Sequence, residues 1–251
     1  MGVRPRSRPG ARRPDLPGLT VDHWWDRWGI AAGQTTVADG DYSLDRLASD
    51  GDDNGPWTDL VRRAAPGLPE VVAGRQVHGT RIAVHQRQTG DGLRIVEGID
   101  GHLTVRPGVL LVVTVADCLP LFLAAPDANA VALLHGGWRG VAGGMVESGI
   151  EALETLTGVR PAGMVLHIGV GICGRCYEVG PEVFDALGLE VPPRAAPIDL
   201  GRLAADRARR AGVPTVTQSP SCTRHDLRFH SWRRDGVTSG RMVAYAGRPL
   251  P

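Results

Sequence analysis

The sequence contains no lysine. All 28 of its basic residues are arginine, and 27 aspartate and glutamate residues balance them, which leaves a formal net charge of +1. A chain that binds nucleic acid or an anionic membrane through charge normally carries a clear excess of basic residues. The near balance supports neither partner, and we expect this chain to bind neither a nucleic acid nor a membrane.

Long apolar runs are also missing. No stretch approaches the roughly 18–20 apolar residues of a membrane-spanning helix. Residues 1–20 are rich in arginine and proline and lack the apolar core of a secretory signal. We therefore expect a disordered tail over residues 1–20 and a cytoplasmic protein. In a reducing compartment, cysteines are thiols or metal ligands and not disulfides; here they are Cys118, Cys173, Cys176 and Cys222.

The remaining residues, 21–251, have the composition of one globular domain, and no linker or internal repeat divides them. The β-branched apolar run at 109–115 predicts a buried strand. A helix is predicted over 141–157, and Asp199 is a suitable N-cap for another helix that runs to Ala211. Because strands and helices do not alternate strictly, we predict an α+β domain with mixed β-sheets flanked by helices.

Two apolar segments, 119–125 and 130–135, flank the turn-forming residues PDAN, which predicts a β-hairpin. With a four-residue loop, His135 lies opposite Pro120, and Cys118 follows two residues further along. The hairpin therefore brings a thiol and an imidazole within reach of one metal ion. These are donors that zinc prefers, although their spacing matches no zinc-ribbon pattern.

The segment HGGWRG begins at His135. Its glycines, Gly136 and Gly137, allow a tight turn into a helix, which would expose backbone N–H groups beside the guanidinium of Arg139. Such groups at a helix N-terminus bind anions. The segment predicts an oxyanion or phosphate site, and a glycine-rich turn without a ligand is the other interpretation.

Five motifs follow one another along the chain: QVHGTRI at 76–82, ADCLPLF at 116–122, HGGWRG at 135–140, CYEVGPEVF at 176–184, and CT at 222–223 with FHSWRRDGVTSGR at 229–241. Together they span roughly residues 71–245. They resemble the hallmarks of the laccase-domain family, also named multicopper polyphenol oxidases.

The resemblance implies a laccase-domain fold, similar to that of cysteine hydrolases, with a single zinc ion held by His78, Cys118 and His135. Three protein ligands leave the fourth coordination position open, which is typical of a catalytic zinc. The same donors would accept copper in vitro. We expect one zinc ion per chain, with Cys118, Arg139 and Arg233 as catalytic residues.

Substrate or phosphate contacts are expected from Gly136, Gly137 and Arg139, and from Arg233 and Arg241 in the C-terminal motif. For the last two arginines, solvated surface charge is the alternative interpretation.

A neighbouring acid, Asp117, has two interpretations. It orients a metal ligand, or it makes a hydrogen bond at the end of a strand.

The family name suggests copper chemistry that this chain does not fit. It has eight histidines and no H-x-H pair, whereas oxidases with several copper ions need many imidazoles. The resemblance implies phosphorolysis of purine nucleosides (adenosine, inosine, guanosine or methylthioadenosine) with phosphate, with adenosine deamination as an associated activity. We expect these small molecules as substrates and a monomeric protein. Two alternatives are a hydrolase that edits misincorporated amino acids in peptidoglycan precursors and a metal-binding domain that has lost catalysis.

A second metal hypothesis rests on two cysteine-containing pairs. Cys173-x-x-Cys176 and Cys222-x-x-His225 have the spacing of ligand pairs in Cys3His zinc sites. However, Cys176 and Cys222 lie within family motifs that need no such metal.

The N-terminal third departs from the family pattern. Asp45 stands where relatives have asparagine in an S/A-L-N-L-G segment, and the nearest match to a later N-R pair lies at Arg62. Gly169-Val170-Gly171 replaces a strand end that is usually G-P. These departures predict a retained metal site beside an altered substrate pocket.

Overall fold

The computed structural model describes residues 13–49 and 55–251. The helices within these ranges are α1 Asp22–Trp28, α2 Leu44–Ser49, α3 Pro56–Ala64, α4 Trp138–Ala142, α5 Met145–Thr157, α6 Pro181–Ala186, α7 Leu200–Arg210 and α8 Trp232–Asp235. The strands are β1 Leu19–Thr20, β2 Ala31–Gln34, β3 Glu70–Arg75, β4 Ile82–Val84, β5 Gly92–Glu97, β6 Gly101–Thr104, β7 Val109–Val115, β8 Leu119–Ala125, β9 Ala130–Gly136, β10 Val165–Ile168, β11 Glu178–Val179, β12 Ala196–Pro197, β13 Thr215–Gln218 and β14 Met242–Arg248.

The strands build two six-stranded sheets and one small pair. The first sheet has the order β1-β2-β14-β7-β3-β5, and the second has the order β13-β10-β8-β9-β6-β4. Both are mixed: β3 runs parallel to β7, whereas β14 runs antiparallel to it. The α+β class with mixed sheets is therefore confirmed.

The two sheets pack face to face and carry helices on their outer faces. Side chains such as Leu111 and Val113 of the first sheet meet Phe122 and Leu133 of the second in the central core. Helices α5 and α7 cover the outer face of the second sheet, and α3 covers that of the first. Strands β7, β8 and β9 are buried on both faces, which explains their uninterrupted apolar sequences.

The predicted hairpin is present as β8 and β9. Ala125 pairs with Ala130, and Pro120 pairs with His135, as the loop length predicts. Asn129 adopts the left-handed conformation that closes the turn (φ 55°). The register that places His135 near Cys118 is confirmed.

The predicted helix over 141–157 is wrong in its first part. The chain forms two helices, α4 and α5, which are separated at Gly143 and Gly144. Gly144 has φ 91°, a conformation that interrupts a right-handed helix and favours glycine. The predicted end at Gly158 and the Asp199 cap are both present, the latter through a 2.8 Å bond from the Arg202 backbone N–H.

Of the predicted tail at residues 1–20, residues 1–12 lie outside the described part of the chain. Beyond them, Leu16 is buried, β1 pairs with β2, and the Tyr245 hydroxyl donates to the Pro17 carbonyl at 2.8 Å. Folded structure is therefore present from Leu16, inside the range predicted as a tail.

The longest helix, α5, has 13 residues. Across residues 13–49 and 55–251, no helix combines the length and the apolar character that crossing a bilayer requires.

Candidate metal centre and substrate cavity

His78, Cys118 and His135 meet where the two sheets adjoin. His78 follows β3 of the first sheet, Cys118 lies where the chain crosses from β7 to β8, and His135 belongs to β9 of the second sheet. Their ligand atoms lie within 4.8 Å of one another, so they could hold one metal ion. The structure brings together the three ligands that the sequence analysis selected.

A buried carboxylate, Asp100, organises this group. Its Oδ1 accepts a hydrogen bond from Nδ1 of His135 at 3.0 Å. Its two oxygens also accept from the backbone N–H groups of residues 77–79 at 2.9–3.1 Å, which holds His78 in a left-handed conformation (φ 60°). Because Nδ1 of His135 is occupied, its Nε2 is the atom directed to Cys118. A carboxylate that orients a metal-binding histidine in this way also raises its basicity.

The charges of the group favour a thiolate at Cys118. Burial opposes ionisation, but the charge on His135 and hydrogen bonds from His135 and His78 lower the pKa of the Cys118 thiol to about 6. Burial also opposes a charge on His135, yet Cys118 and Asp100 raise its pKa to about 9. The pKa of Asp100 falls to about 2 in spite of burial, because His135 and backbone N–H groups donate to it. A metal ion needs the thiolate form of its cysteine ligand.

The backbone leaves space for an ion at Gly137. A Cβ atom there would lie 3.1 Å from Cδ2 of His78, 3.3 Å from Sγ of Cys118 and 3.6 Å from Cε1 of His135. A methyl group would therefore fill the gap between the three side chains. The mixed sulfur and nitrogen donors and this gap both fit a metal ion.

Gly136 and Gly137, for which substrate contacts are predicted, lie outside the lining of the adjacent cavity. Gly136 ends β9 and packs against Leu119, whose carbonyl oxygen would lie 2.8 Å from a Cβ atom at that position. The small size of the two glycines suits the sheet at Gly136 and the candidate metal centre at Gly137, and their contact with a substrate stays a prediction.

A cavity of about 610 Å³ opens above the three ligands. Predicted contacts Arg139, Arg233 and Arg241 all line it, and so does Arg75, which the sequence analysis did not select. The lining also includes two aspartates, Asp45 and Asp117, so arginine charge is in excess. The remaining lining residues are Ser43, Leu44, Gln76, Thr114, Val115, Ala116, Trp138, Ile172, Tyr177, Leu200 and Trp232.

The Asp117 carboxylate ties the C-terminal motif to the cavity. One of its oxygens accepts from the Thr223 hydroxyl at 2.5 Å, and the other accepts from the Arg233 backbone N–H at 2.6 Å. Asp117 itself has φ 81° at the crossing between the sheets. These bonds position Arg233, whose guanidinium also donates to the Glu178 carbonyl at 2.7 Å.

Each of the three predicted arginines lies over an aromatic ring. The guanidinium carbon of Arg139 is 4.3 Å from the ring centre of Trp138; for Arg233 over Tyr177 and Arg241 over Trp232, the distance is 5.3 Å. Such stacking limits the motion of an exposed guanidinium. Burial, with the nearby charge of Cys118, raises the pKa of Tyr177 to about 12, so its hydroxyl stays protonated at neutral pH.

The unusual residues of the N-terminal third have separate locations. Asp45 is exposed on α2 and lines the cavity, whereas Arg62 pairs with Asp59 on the surface of α3, outside it.

Val170 donates its N–H to Oε1 of Gln34 at 2.9 Å, and its carbonyl accepts from Nε2 of Gln34 at 2.9 Å. A proline at position 170 would lack this N–H group.

The residues of the second metal hypothesis also converge. The ligand atoms of Cys173, Cys176, Cys222 and His225 lie within 4.8 Å of one another. This group and the His78, Cys118 and His135 centre are the two candidate metal groups within the described residues.

Residues 43–248 match the family model described as multi-copper polyphenol oxidoreductase laccase. The chain belongs to this family. The match contains the cavity and all three residues of the candidate metal centre.

Relatives in this family carry names that refer to nucleosides. The chain is 36% identical over 231 residues to a purine nucleoside phosphorylase of Streptomyces coelicolor, covering 88% of this chain and 92% of the relative. It is 31% identical over 205 residues to the adenosine deaminase RL5 of an unknown prokaryote, with coverage of 72% and 76%. The crystal structure of YlmD from Geobacillus stearothermophilus superposes with a TM-score of 0.74 at 32% identity, covering 88% of this chain and 93% of that one.

The fold is thus the laccase-domain fold that the resemblance implies. The relatives' names describe nucleoside chemistry and not copper-dependent oxidation. Among the described residues, neither candidate metal group offers the many imidazoles that several copper ions need. The chain is accordingly not a true multicopper oxidase.

Proposed function

We propose that this chain is a zinc-dependent purine nucleoside phosphorylase. It converts adenosine, inosine, guanosine or methylthioadenosine and phosphate into the free base and a ribose 1-phosphate or its methylthio analogue. The observation that carries the proposal is a three-ligand centre at the base of a cavity lined by Arg75, Arg139, Arg233 and Arg241. The phosphorylase from Streptomyces coelicolor supports the same assignment.

Zinc is the proposed ion because one thiolate and two imidazoles suit its borderline-soft character, and copper would be accepted in vitro. When bound with its fourth position open, zinc supplies Lewis acidity to a coordinated oxygen. Within the chain, Asp100 fixes the tautomer of His135, and Gly137 leaves the necessary space.

The arginines bind the phosphate in this proposal. A guanidinium donates two parallel hydrogen bonds to a phosphate, and several of them neutralise its charge. Arg233 is placed by its backbone bond to Asp117, and Arg139 by its stacking on Trp138. Held in this way, one phosphate oxygen can face the sugar carbon that it attacks.

The aromatic side chains form the proposed purine site. Trp138, Tyr177 and Trp232 line the cavity together with Ile172 and offer flat apolar surfaces for the base. As the glycosidic bond breaks, negative charge develops on the purine. The protonated hydroxyl of Tyr177 can donate a hydrogen bond to that charge.

Product analysis tests the proposal. The zinc-loaded protein is incubated with adenosine, inosine, guanosine or methylthioadenosine, with and without phosphate, and the products are separated by chromatography. We expect free base and the sugar 1-phosphate in equal amounts, only when phosphate is present. Cys118→Ala and Arg139→Ala should lower the rate at least about 100-fold, since both remove groups at the reacting centre.

The control is Arg210→Ala, which removes an exposed arginine on α7 that does not line the cavity. This variant should keep the rate of the unmodified protein. Absence of base release from all four nucleosides would refute the proposal.

Adenosine deamination is a second candidate, favoured by the similarity to RL5. Water would replace phosphate as the nucleophile at the same centre, and ammonia would leave from the purine. The same incubation separates the two activities: inosine and ammonia formed without phosphate indicate deamination. Cytoplasmic location and a monomeric state remain predictions.

A further inference from the structure

Two short turns face each other beside the cavity, and each carries a pair of potential metal ligands three residues apart. The first turn contains Cys173 and Cys176, and the second contains Cys222 and His225. They come from segments almost 50 residues apart in the sequence, so their meeting is a property of the fold.

The two turns have the same backbone pattern. In the first, the carbonyl of Cys173 accepts from the N–H groups of Cys176 and Tyr177 at 2.9 and 3.1 Å. In the second, the carbonyl of Cys222 accepts from those of His225 and Asp226 at 3.1 and 2.9 Å. Each turn therefore projects its first and fourth side chains to the same side, as ligand pairs in small zinc sites do.

The side-chain atoms are close to tetrahedral spacing. Sγ of Cys176 lies 3.0 Å from Nε2 of His225, and all four ligand atoms lie within 4.8 Å of one another. Around a zinc ion, bond lengths of about 2.3 Å to sulfur and 2.0 Å to nitrogen place the donors roughly 3.5–3.8 Å apart. Shifts of at most about 1 Å, which separate Cys176 from His225 and bring wider pairs closer together, would complete the site.

The surroundings of one sulfur also suit a metal-bound thiolate. The N–H of Cys173 donates to Sγ of Cys222 at 3.3 Å, and the backbone N–H groups of Arg224 and His225 are directed at the same atom. Such amide contacts hold a ligating sulfur in place and stabilise its negative charge.

We propose that Cys173, Cys176, Cys222 and His225 bind a structural zinc ion, distinct from the ion in the cavity. Four protein ligands fill the tetrahedral shell and leave no position for substrate, so the site stabilises structure and does not catalyse. A disulfide is the competing use of these cysteines. It would join two sulfurs, however, and would not explain why the third thiol and the imidazole lie beside them. This site does not depend on which reaction the cavity performs.

The ion would link the two turns and so stabilise one wall of the cavity. Ile172 and Tyr177, which flank the first turn, line the cavity directly. Thr223, within the second turn, donates its hydroxyl to Asp117, and its carbonyl accepts from Nη1 of Arg234 at 2.7 Å. The link between the two turns therefore stabilises the segments that position Tyr177 and Arg233.

Metal counting tests the proposal. The chain is reconstituted with zinc under reducing conditions, freed of excess ion and analysed for bound metal. We expect two zinc ions per chain, one after His225→Ala, one after Cys118→Ala and none in the double variant. His23→Ala, which removes another exposed histidine, is the matched control and should keep both ions.

Cobalt provides a readout that does not depend on the amount of zinc retained. The charge-transfer absorption of bound Co²⁺ grows with the number of thiolate ligands, so Cys118→Ala should keep about three quarters of it. Cys222→Ser together with Cys176→Ser should abolish the absorption that comes from the Cys173, Cys176 and Cys222 site, while the absorption that comes from Cys118 remains.

Two results would overturn the proposal. One is a single zinc ion per chain that Cys118→Ala abolishes. The other is a disulfide in the protein purified without added reductant, detected as fewer than four free thiols after chelation and unfolding.

Discussion

Gly137 shows how one missing side chain can define a metal centre. It is the residue before α4, with φ −73° and ψ 161°, a backbone conformation that alanine adopts without strain. Space, and not backbone freedom, therefore requires glycine here. The room that a Cβ would take is bounded by all three ligand side chains.

Gly137→Ala should lower metal affinity at this centre by at least about 10- to 100-fold, because the new methyl group lies against all three ligands. Bound zinc should fall by one ion per chain, and phosphorolysis should fall with it, while the circular dichroism spectrum stays the same. Metal analysis after dialysis measures the first effect.

The matched control for that substitution is Gly55→Ala. Gly55 also precedes a helix, α3, with φ −73° and ψ 166°, and a Cβ there meets nothing within 4 Å. If both variants retained their zinc and activity equally, the role assigned to Gly137 would be wrong.

The residues of the centre differ in how far the sequence revealed them. Cys118 and His135 follow from the hairpin register, whereas His78 came from the family resemblance alone. Nothing in the spacing shows that His78 is held in a left-handed turn by Asp100, because that contact joins residues 22 positions apart in the sequence. Asp100 and Arg75 were missed; a lone aspartate beside the buried Ile99 was the available signal for the first.

At the scale of elements, local features were predicted best. The β8–β9 hairpin, the Asp199 cap and the helix end at Gly158 each depend on residues close in sequence. Strands β3 and β4 are neighbours in the sequence but lie in different sheets. Pairing partners depend on distant chain segments, so the local pattern could not reveal them.

Strands β4 and β6 share a buried histidine pair. Nε2 of His85, just after β4, lies 3.0 Å from Nδ1 of His102 in β6, and Arg94 approaches the other ring nitrogen of His85 at 3.0 Å. Burial, followed by the charge of Arg94, lowers the pKa of His85 to about 4; burial and the neighbouring His85 lower that of His102 to about 3. Both rings are therefore neutral in the folded chain.

This pair should make the fold sensitive to acid. Since both pKa values are lower in the folded than in the unfolded chain, the unfolded chain binds more protons below pH 6.5. The stabilisation is complete above that pH and is lost as the pH falls towards 4. Between pH 7.5 and 5, each histidine should remove about 2 kcal/mol from the free energy of unfolding.

Urea unfolding of the unmodified protein and of His102→Gln at both pH values measures this effect. The amide cannot take up a proton, so the variant should lose less stability between the two conditions. Equal losses in both proteins would contradict the assignment to this pair, because all other titrating groups are shared.

For the whole molecule, the metal centre connects the two sheets. His78 follows a strand of the first sheet, His135 belongs to the second, and Cys118 lies in the crossing between them. An ion held by all three ligands binds the folded chain only. By mass action it should stabilise the fold by about 2.7 kcal/mol at a free concentration 100 times its dissociation constant.

Chelation should therefore lower the unfolding midpoint, and added zinc should restore it. Thermal unfolding with and without a chelator tests this. Cys118→Ala should respond less than the unmodified protein, and Cys118→Ala combined with His225→Ala should not respond. An unchanged midpoint after removal of all metal from the unmodified protein would contradict the expectation.

The order of the strands lay beyond sequence reasoning. The class of the fold follows from its interleaved strands and helices, but pairs such as Gln34 with Ala244 join residues more than 200 positions apart. No local pattern indicates that β14 enters the first sheet between β2 and β7.

That position of β14 has a consequence for biosynthesis. The strand is made after every other strand of both sheets, yet it occupies an inner place in the first sheet. Until β14 has been translated, β2 and β7 each have an unpaired edge, and such edges promote aggregation. A translation product that stops before Met242 would keep both edges open, so quality control could recognise it as incomplete. The first sheet can therefore close only after β14 has been made.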